Sequence, residues 1–160
     1  MSDEVDRELA ILLRPSGDAG ARRARGEALE ALLERADEAH PRLLALAESA
    51  PTSLPALMAL PRFGRPESVP VLERVLRKAS GPTTAVAAAA LSEHPADAAR
   101  AALEAALGDP RTQVVLSAVM GLSERGDARA CPPLRAALRH DDPEVRQRVA
   151  AALRRLGCDD

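Results

Sequence analysis

The chain has 160 residues, 46% of them apolar, and a formal net charge of −2, which is enough for one domain or one short array with a continuous core. Aromatic residues make up 1%, with Phe63 alone and neither Trp nor Tyr, so Ala and Leu must fill that core, which suits close-packed helices and suits strands poorly. The near-balanced charge excludes bulk attraction to nucleic acid or to an acidic membrane surface, and no apolar run approaches the length of a membrane span.

Residues 3–14 are expected to form a helix with Val5, Leu9 and Leu12 or Leu13 on one face. PSGDAG at 15–20 reads as a loop. A second helix is expected over 22–39, with Ala28, Leu29, Leu32, Leu33 and Ala36 apolar. Together 1–39 form an N-terminal helical cap. His40-Pro41 is expected to break the preceding helix. Four units follow, over 40–64, 65–95, 96–126 and 127–157, with a tail at 158–160. The first holds short helices over LLALAES and SLPALMAL. In the second, helices start from Pro70 and from Pro82, and in the third they cover about 97–107 and 111–124. The last helix, in DPEVRQRVAAALRRLG at 142–157, is the clearest. Val145, Val149, Ala152 and Leu153 share one helical face, Pro143 suits a first turn, and Gly157 suits a stop.

That last helix has copies. Leu122, Leu91 and Leu60 precede Leu153 at a constant 31-residue step. The same step from Leu134 and Leu138 meets Leu103 and Leu107, then Leu72 and Leu76. LSERG at 122–126 repeats LSEHP at 91–95, and CPPLRAAL at 131–138 repeats VPVLERVL at 69–76. A fixed short period marks a solenoid, in which each unit buries its apolar face only against its neighbours.

The words GxxxxVPxL, GxxxxCPPL and DDPEVRxxVAxALxxLG resemble the HEAT repeat family, and specifically the short HEAT-like repeats of the phycobilisome (bilin) lyase type. The likeness is strong over 127–157, fair over 65–126, weak over 40–64 and absent before residue 40. It implies an all-α fold, a right-handed α-α superhelix of antiparallel helix pairs. It also implies an Asp–Arg ladder between units. That ladder is expected to be incomplete, because Asp109-Pro110 stands two positions out of register with Asp142-Pro143, and Val115 takes the place of Arg146.

Catalytic sites known in proteins of similar fold find no counterpart in these residues. Metal-dependent hydroxylases use His-Glu pairs on successive second helices; here Glu93-His94 is reversed and single. His40, His94 and His140 share no period and read as surface or capping residues, so no metal site is expected. Base-excising glycosylases need stacking aromatics and a basic groove, which this composition lacks. Cys131 and Cys158 show neither metal spacing nor a disulfide framework; Cys131 is expected as a small buried hydrophobe and Cys158 as an exposed tail residue. No cofactor is expected. The first residues, MSDEVDRELA, are acidic and lack an export signal's apolar core, so a cytoplasmic location is expected.

In a HEAT-like stack the second helices line the concave face. The residues off their core stripe then give one apolar line through Leu54, Met58, Ala85, Ala89, Leu116, Met120, Gln147 and Ala151, and a polar line through Arg62, Glu93, Glu124 and Arg155. If the helices are rotated by one position, Leu116 and Met120 are ordinary core; if not, the line is an exposed apolar groove with a polar rim, which suits a protein or peptide partner. The expected function is therefore a non-enzymatic interaction scaffold or adaptor, binding neither nucleic acid nor membrane. The alternative is an accessory or relic subunit of a lyase-type enzyme acting on a bound prosthetic group.

Overall fold

The computed structural model describes residues 2–15, 17–50 and 53–158; expectations that touch Met1, Ser16, Pro51 or the last two residues lie outside these. The described residues form ten α-helices and no strand. They are α1 (Ser2–Leu12), α2 (Ala19–Glu34), α3 (Ala36–Ser49), α4 (Leu54–Ala59), α5 (Ser68–Lys78), α6 (Pro82–Glu93), α7 (Asp97–Ala106), α8 (Thr112–Arg125), α9 (Cys131–Ala137) and α10 (Pro143–Leu156). Short 3-10 turns extend α4 at Leu60–Phe63 and lead into α9 at Ala128–Ala130. Helices α4, α6, α8 and α10 pack each on the next as one layer. Helices α3, α5 and α7 pack as the other layer, and α9 lies on α10. This is the all-α solenoid that the period predicted.

Local chemistry accounts for the helix ends. Asp142 accepts the Glu144 N–H at 2.8 Å, Pro143 occupies the first turn of α10, and Gly157 closes it at φ 69°. Asp18 caps α2 by accepting the Ala21 N–H at 3.0 Å, so that helix starts at Ala19, inside the loop expected over 15–20. Pro55 suits the first turn of α4, and Pro61, which has no N–H to continue the α-helical bonding, lies in the 3-10 turn that ends it.

The helix break expected at His40-Pro41 falls instead at Arg35, and α3 runs straight through Pro41. Pro41 forfeits one backbone bond. Ala39, His40, Leu43 and Ala47 are buried on that helix's inner face, and His40 Nε2 bonds Ser68 Oγ at 2.8 Å on α5. Tertiary burial outweighs the local breaker.

The core follows the period. Leu60, Leu91 and Leu122 are completely buried, as are Leu72, Leu103 and Leu134. The Leu76, Leu107, Leu138 series instead grades from buried through half-buried to exposed. Alanines fill much of α6, and Gly121 of α8 lies so close to it that an added Cβ would stand 3.0 Å from the Ala88 oxygen.

The cysteines require a correction. Cys131 and Cys158 form a disulfide, with their Cα atoms 5.9 Å apart. Cys158 is buried, and Cys131 is half-buried rather than a core hydrophobe. The left-handed Gly157 turns the chain back over the start of α9, and the Cys158 N–H reaches the Leu153 oxygen at 2.9 Å. Arg135 donates to the Cys158 oxygen at 2.6 Å. The bond joins the first residue of one helix to the second residue past the end of its partner, a pairing no repeat step marks.

Polar bonds also join successive units. Arg125 donates to the oxygens of Leu91, Ser92 and His94 from one nitrogen and to that of Ala96 from the other. It thereby occupies carbonyls left free where α6 ends. Arg129 pairs with Asp97 at 2.8 Å and with Asp127 at 2.8 Å, and Arg111 reaches the Ala79 oxygen at 3.2 Å. Arg146 makes no rung of a ladder: it donates to the His140 and Asp141 oxygens of its own unit, both at 2.7 Å. Val115, its counterpart, is core.

Candidate functional site

Two open clefts lie along the layer of second helices. The first, about 400 Å³, sits between α8 and α10 with α6 at its edge. Leu116, Met120, Glu124, Ala151 and Arg155 meet there with Ala85 and Arg148. The second, about 410 Å³, lies where α2 meets α4. Met58, Arg62 and Glu93 meet there with Arg22, Arg25 and Leu29. The predicted line is therefore divided between two sites. Leu54 and Ala89 are half-buried and line neither.

Met58 is 60% exposed and Met120 39% exposed, against a background in which most large apolar side chains are buried. Leu116 is half-buried, and Ala151 is exposed beside it. Helical rotation explains the set. On α8 the buried stripe is Val115, Ala118, Val119 and Leu122, and Met120 falls just off its edge. On α10 the face toward the cleft carries Arg148, Ala151, Ala152 and Arg155. Gln147, one position before Arg148, points elsewhere, so the apolar line expected through it does not continue.

The charged rim is exposed throughout: Arg62, Glu93, Glu124 and Arg155 all face water. Arg62 pairs with Glu30 of α2 at 3.1 Å. Arg22, Arg25, Arg155, Glu93 and Glu124 form no ion pair or hydrogen bond through their side chains among the described residues. Arg148 reaches only Glu144 of its own helix, at 3.9 Å. Sequence reasoning missed Arg22 and Arg25, because α2 carries no repeat words. Their spacing to Leu29, three and then four residues, was the available signal. It also missed Arg148, which shares a helical face with Ala151 and Arg155.

Of the surface or capping roles expected for the histidines, the surface role fails, and the capping role holds for His94, the residue that ends α6. His40 and His94 are buried, and His140 is half-buried. His94 Nδ1 accepts the Ala96 N–H at 3.2 Å, which leaves Nε2–H to donate to the Arg65 oxygen at 3.0 Å. Both ring nitrogens are thus used, and they hold a junction between units. His140 repeats half of this arrangement, accepting the Asp142 N–H at 3.1 Å. Burial pushes the His94 pKa below its usual value, and the Arg125 charge adds to that against the raising effect of the Arg65 bond. Burial and the Arg65 charge do the same to His40. No group of three or more His, Cys, Asp or Glu among the described residues could hold a metal ion. No described helix is long and apolar enough to cross a membrane.

Residues 102–160 match the family model described as HEAT repeats. The match spans α8, α9, α10 and the second half of α7, and so nearly all of the first cleft. It supports a HEAT repeat family without reaching the bilin lyase type. No curated protein matches the chain.

Proposed function

We propose that this HEAT-like stack is a non-enzymatic scaffold or adaptor that holds a segment of a partner protein against the layer formed by α4, α6, α8 and α10. The observation that carries the reading is the exposure of Met58 and Met120 in separate clefts of one layer. Exposed apolar surface with a charged rim is the usual form of a protein-binding site. Methionine adapts its shape to what it meets. HEAT repeats generally mediate protein–protein interaction, which favours the same reading.

A non-enzymatic role fits the way His94 spends both ring nitrogens on backbone groups. The Cys131–Cys158 bond fits an oxidising environment better than the reducing cytoplasm expected from the first residues.

Photo-crosslinking tests the reading. A benzophenone side chain placed at position 58 or 120 should capture the same partner, and one placed at the exposed Leu138 should not. Capture from Leu138 alone, or indiscriminate capture from all three positions, would overturn it.

A further inference from the structure

The two clefts repeat one composition. Each holds one exposed methionine, one exposed glutamate and a pair of arginines without a strong partner inside the chain. In the first these are Met120, Glu124, Arg148 and Arg155. In the second they are Met58, Glu93, Arg22 and Arg25, with Arg62 already engaged by Glu30. Met58 and Met120 stand two periods apart, and Glu93 and Glu124 one period apart. The arginines do not follow the period: one pair lies on α2 and the other on α10. Two different helices thus bring the same charge to the same kind of apolar pocket.

Elsewhere many arginines pair with a carboxylate of the fold, as in Arg35–Glu4, Arg74–Glu48 and Arg129–Asp97, although Arg14, Arg23, Arg139 and Arg154 do not among the described residues. In each cleft two arginines face one carboxylate, so the apolar floor carries a net positive rim. An apolar anchor entering such a site is joined most favourably by carboxylates.

We propose that the clefts receive an acidic, apolar-anchored segment of another protein, one bulky apolar side chain per cleft with carboxylates against Arg22 and Arg25 and against Arg148 and Arg155. This rests on the groove reading above and names its partner's chemistry. The chain's own acidic stretch is not the occupant, because Val5, Leu9 and Leu12 of α1 are buried in the fold. A second copy meeting the same face would bring one arginine-rimmed cleft against another, which like charge opposes. The second helices pack roughly 10 Å apart, so the three steps from α4 to α10 span about 30 Å. A helix of about 20 residues covers that length.

The test uses a labelled 20-residue amphipathic peptide with a leucine stripe flanked by glutamates. Two controls replace every glutamate by lysine, or every leucine by alanine. Fluorescence anisotropy should show the acidic leucine peptide binding at least tenfold more tightly than either control. The double variant Arg148→Gln/Arg155→Gln should weaken it about fivefold at low salt, with the gap closing as salt rises. Both arginines are exposed, so its melting curve should match the parent's. Equal or tighter binding of the lysine peptide would overturn the acidic partner while leaving the groove reading to the crosslinks at 58 and 120. Binding of neither peptide, or preference for a single-stranded oligonucleotide over the acidic peptide, would also overturn it.

Discussion

Gly121 on α8 faces the carbonyl oxygen of Ala88 on α6 so closely that a Cβ would come to 3.0 Å of it, and also to 3.0 Å of Leu103 Cδ2. In an exposed helix, Gly→Ala gains about 0.5–1 kcal/mol. Here the obstacle is a backbone atom, which cannot swing aside. Gly121→Ala is therefore expected to destabilise by about 1–3 kcal/mol, the usual cost of overpacking. A melting temperature that rises would show the α6–α8 interface to be looser than drawn.

Met120→Glu separates cleft from core. With Met120 39% exposed, the added carboxylate can reach water, and the cost should stay under about 1 kcal/mol. Leu122→Ala, two residues on and fully buried, should cost about 2–5 kcal/mol. Thermal denaturation of the two variants side by side checks this. A collapse of Met120→Glu comparable to that of Leu122→Ala would place Met120 in the core.

The Cys131–Cys158 bond closes a loop with a sequence separation of 27. Loop-closure entropy then gives about 3–4 kcal/mol of stabilisation. Cys131→Ser, or a reductant, should lower the melting temperature. Amide exchange should quicken first in α9 and α10, the pair the bond ties together. Unchanged protection of α10 after reduction would mean that helix packing alone holds the end of the stack. Because α10 carries Arg148, Ala151 and Arg155, the same measurement reports on one wall of the first cleft.

His94 and His40 should make stability fall in mild acid. Both are buried with pKa values held below the unfolded value of 6.5. The folded state therefore binds the proton later than the unfolded chain does. Stability from these residues is fully present above about pH 6.5 and is lost as pH falls toward the folded-state pKa. Protonating His94 would also set a new N–H against the Ala96 N–H that Nδ1 accepts. The melting temperature should drop between pH 7 and pH 5, and His94→Gln should flatten that slope even if it starts lower. An unchanged slope in that variant would assign the acid sensitivity to other groups.

The amino-acid sequence by itself determined the unit and its core. Each unit presents the same face to the next, so selection for burial leaves leucines at one step, and Leu60, Leu91 and Leu122 are all fully buried. The same argument set Met58 and Met120 off the apolar stripe of their helices but left open whether they were exposed or core; the tertiary structure exposes both, while Leu116 on the same line is half-buried. Tertiary structure alone decided which neighbours share a cleft. Leu54 and Ala89 lie on the predicted line yet outside both clefts, since a line in sequence fixes a helix face but not the gap between two helices. Arg22 and Arg25 join Met58 through the packing of α2, whose sequence follows no period. The disulfide, the carbonyls gathered by Arg125 and the passage of α3 through Pro41 have the same origin. Each depends on contacts between segments about 30 residues apart or on burial that overrides a local signal, and no residue pattern within a single unit encodes either.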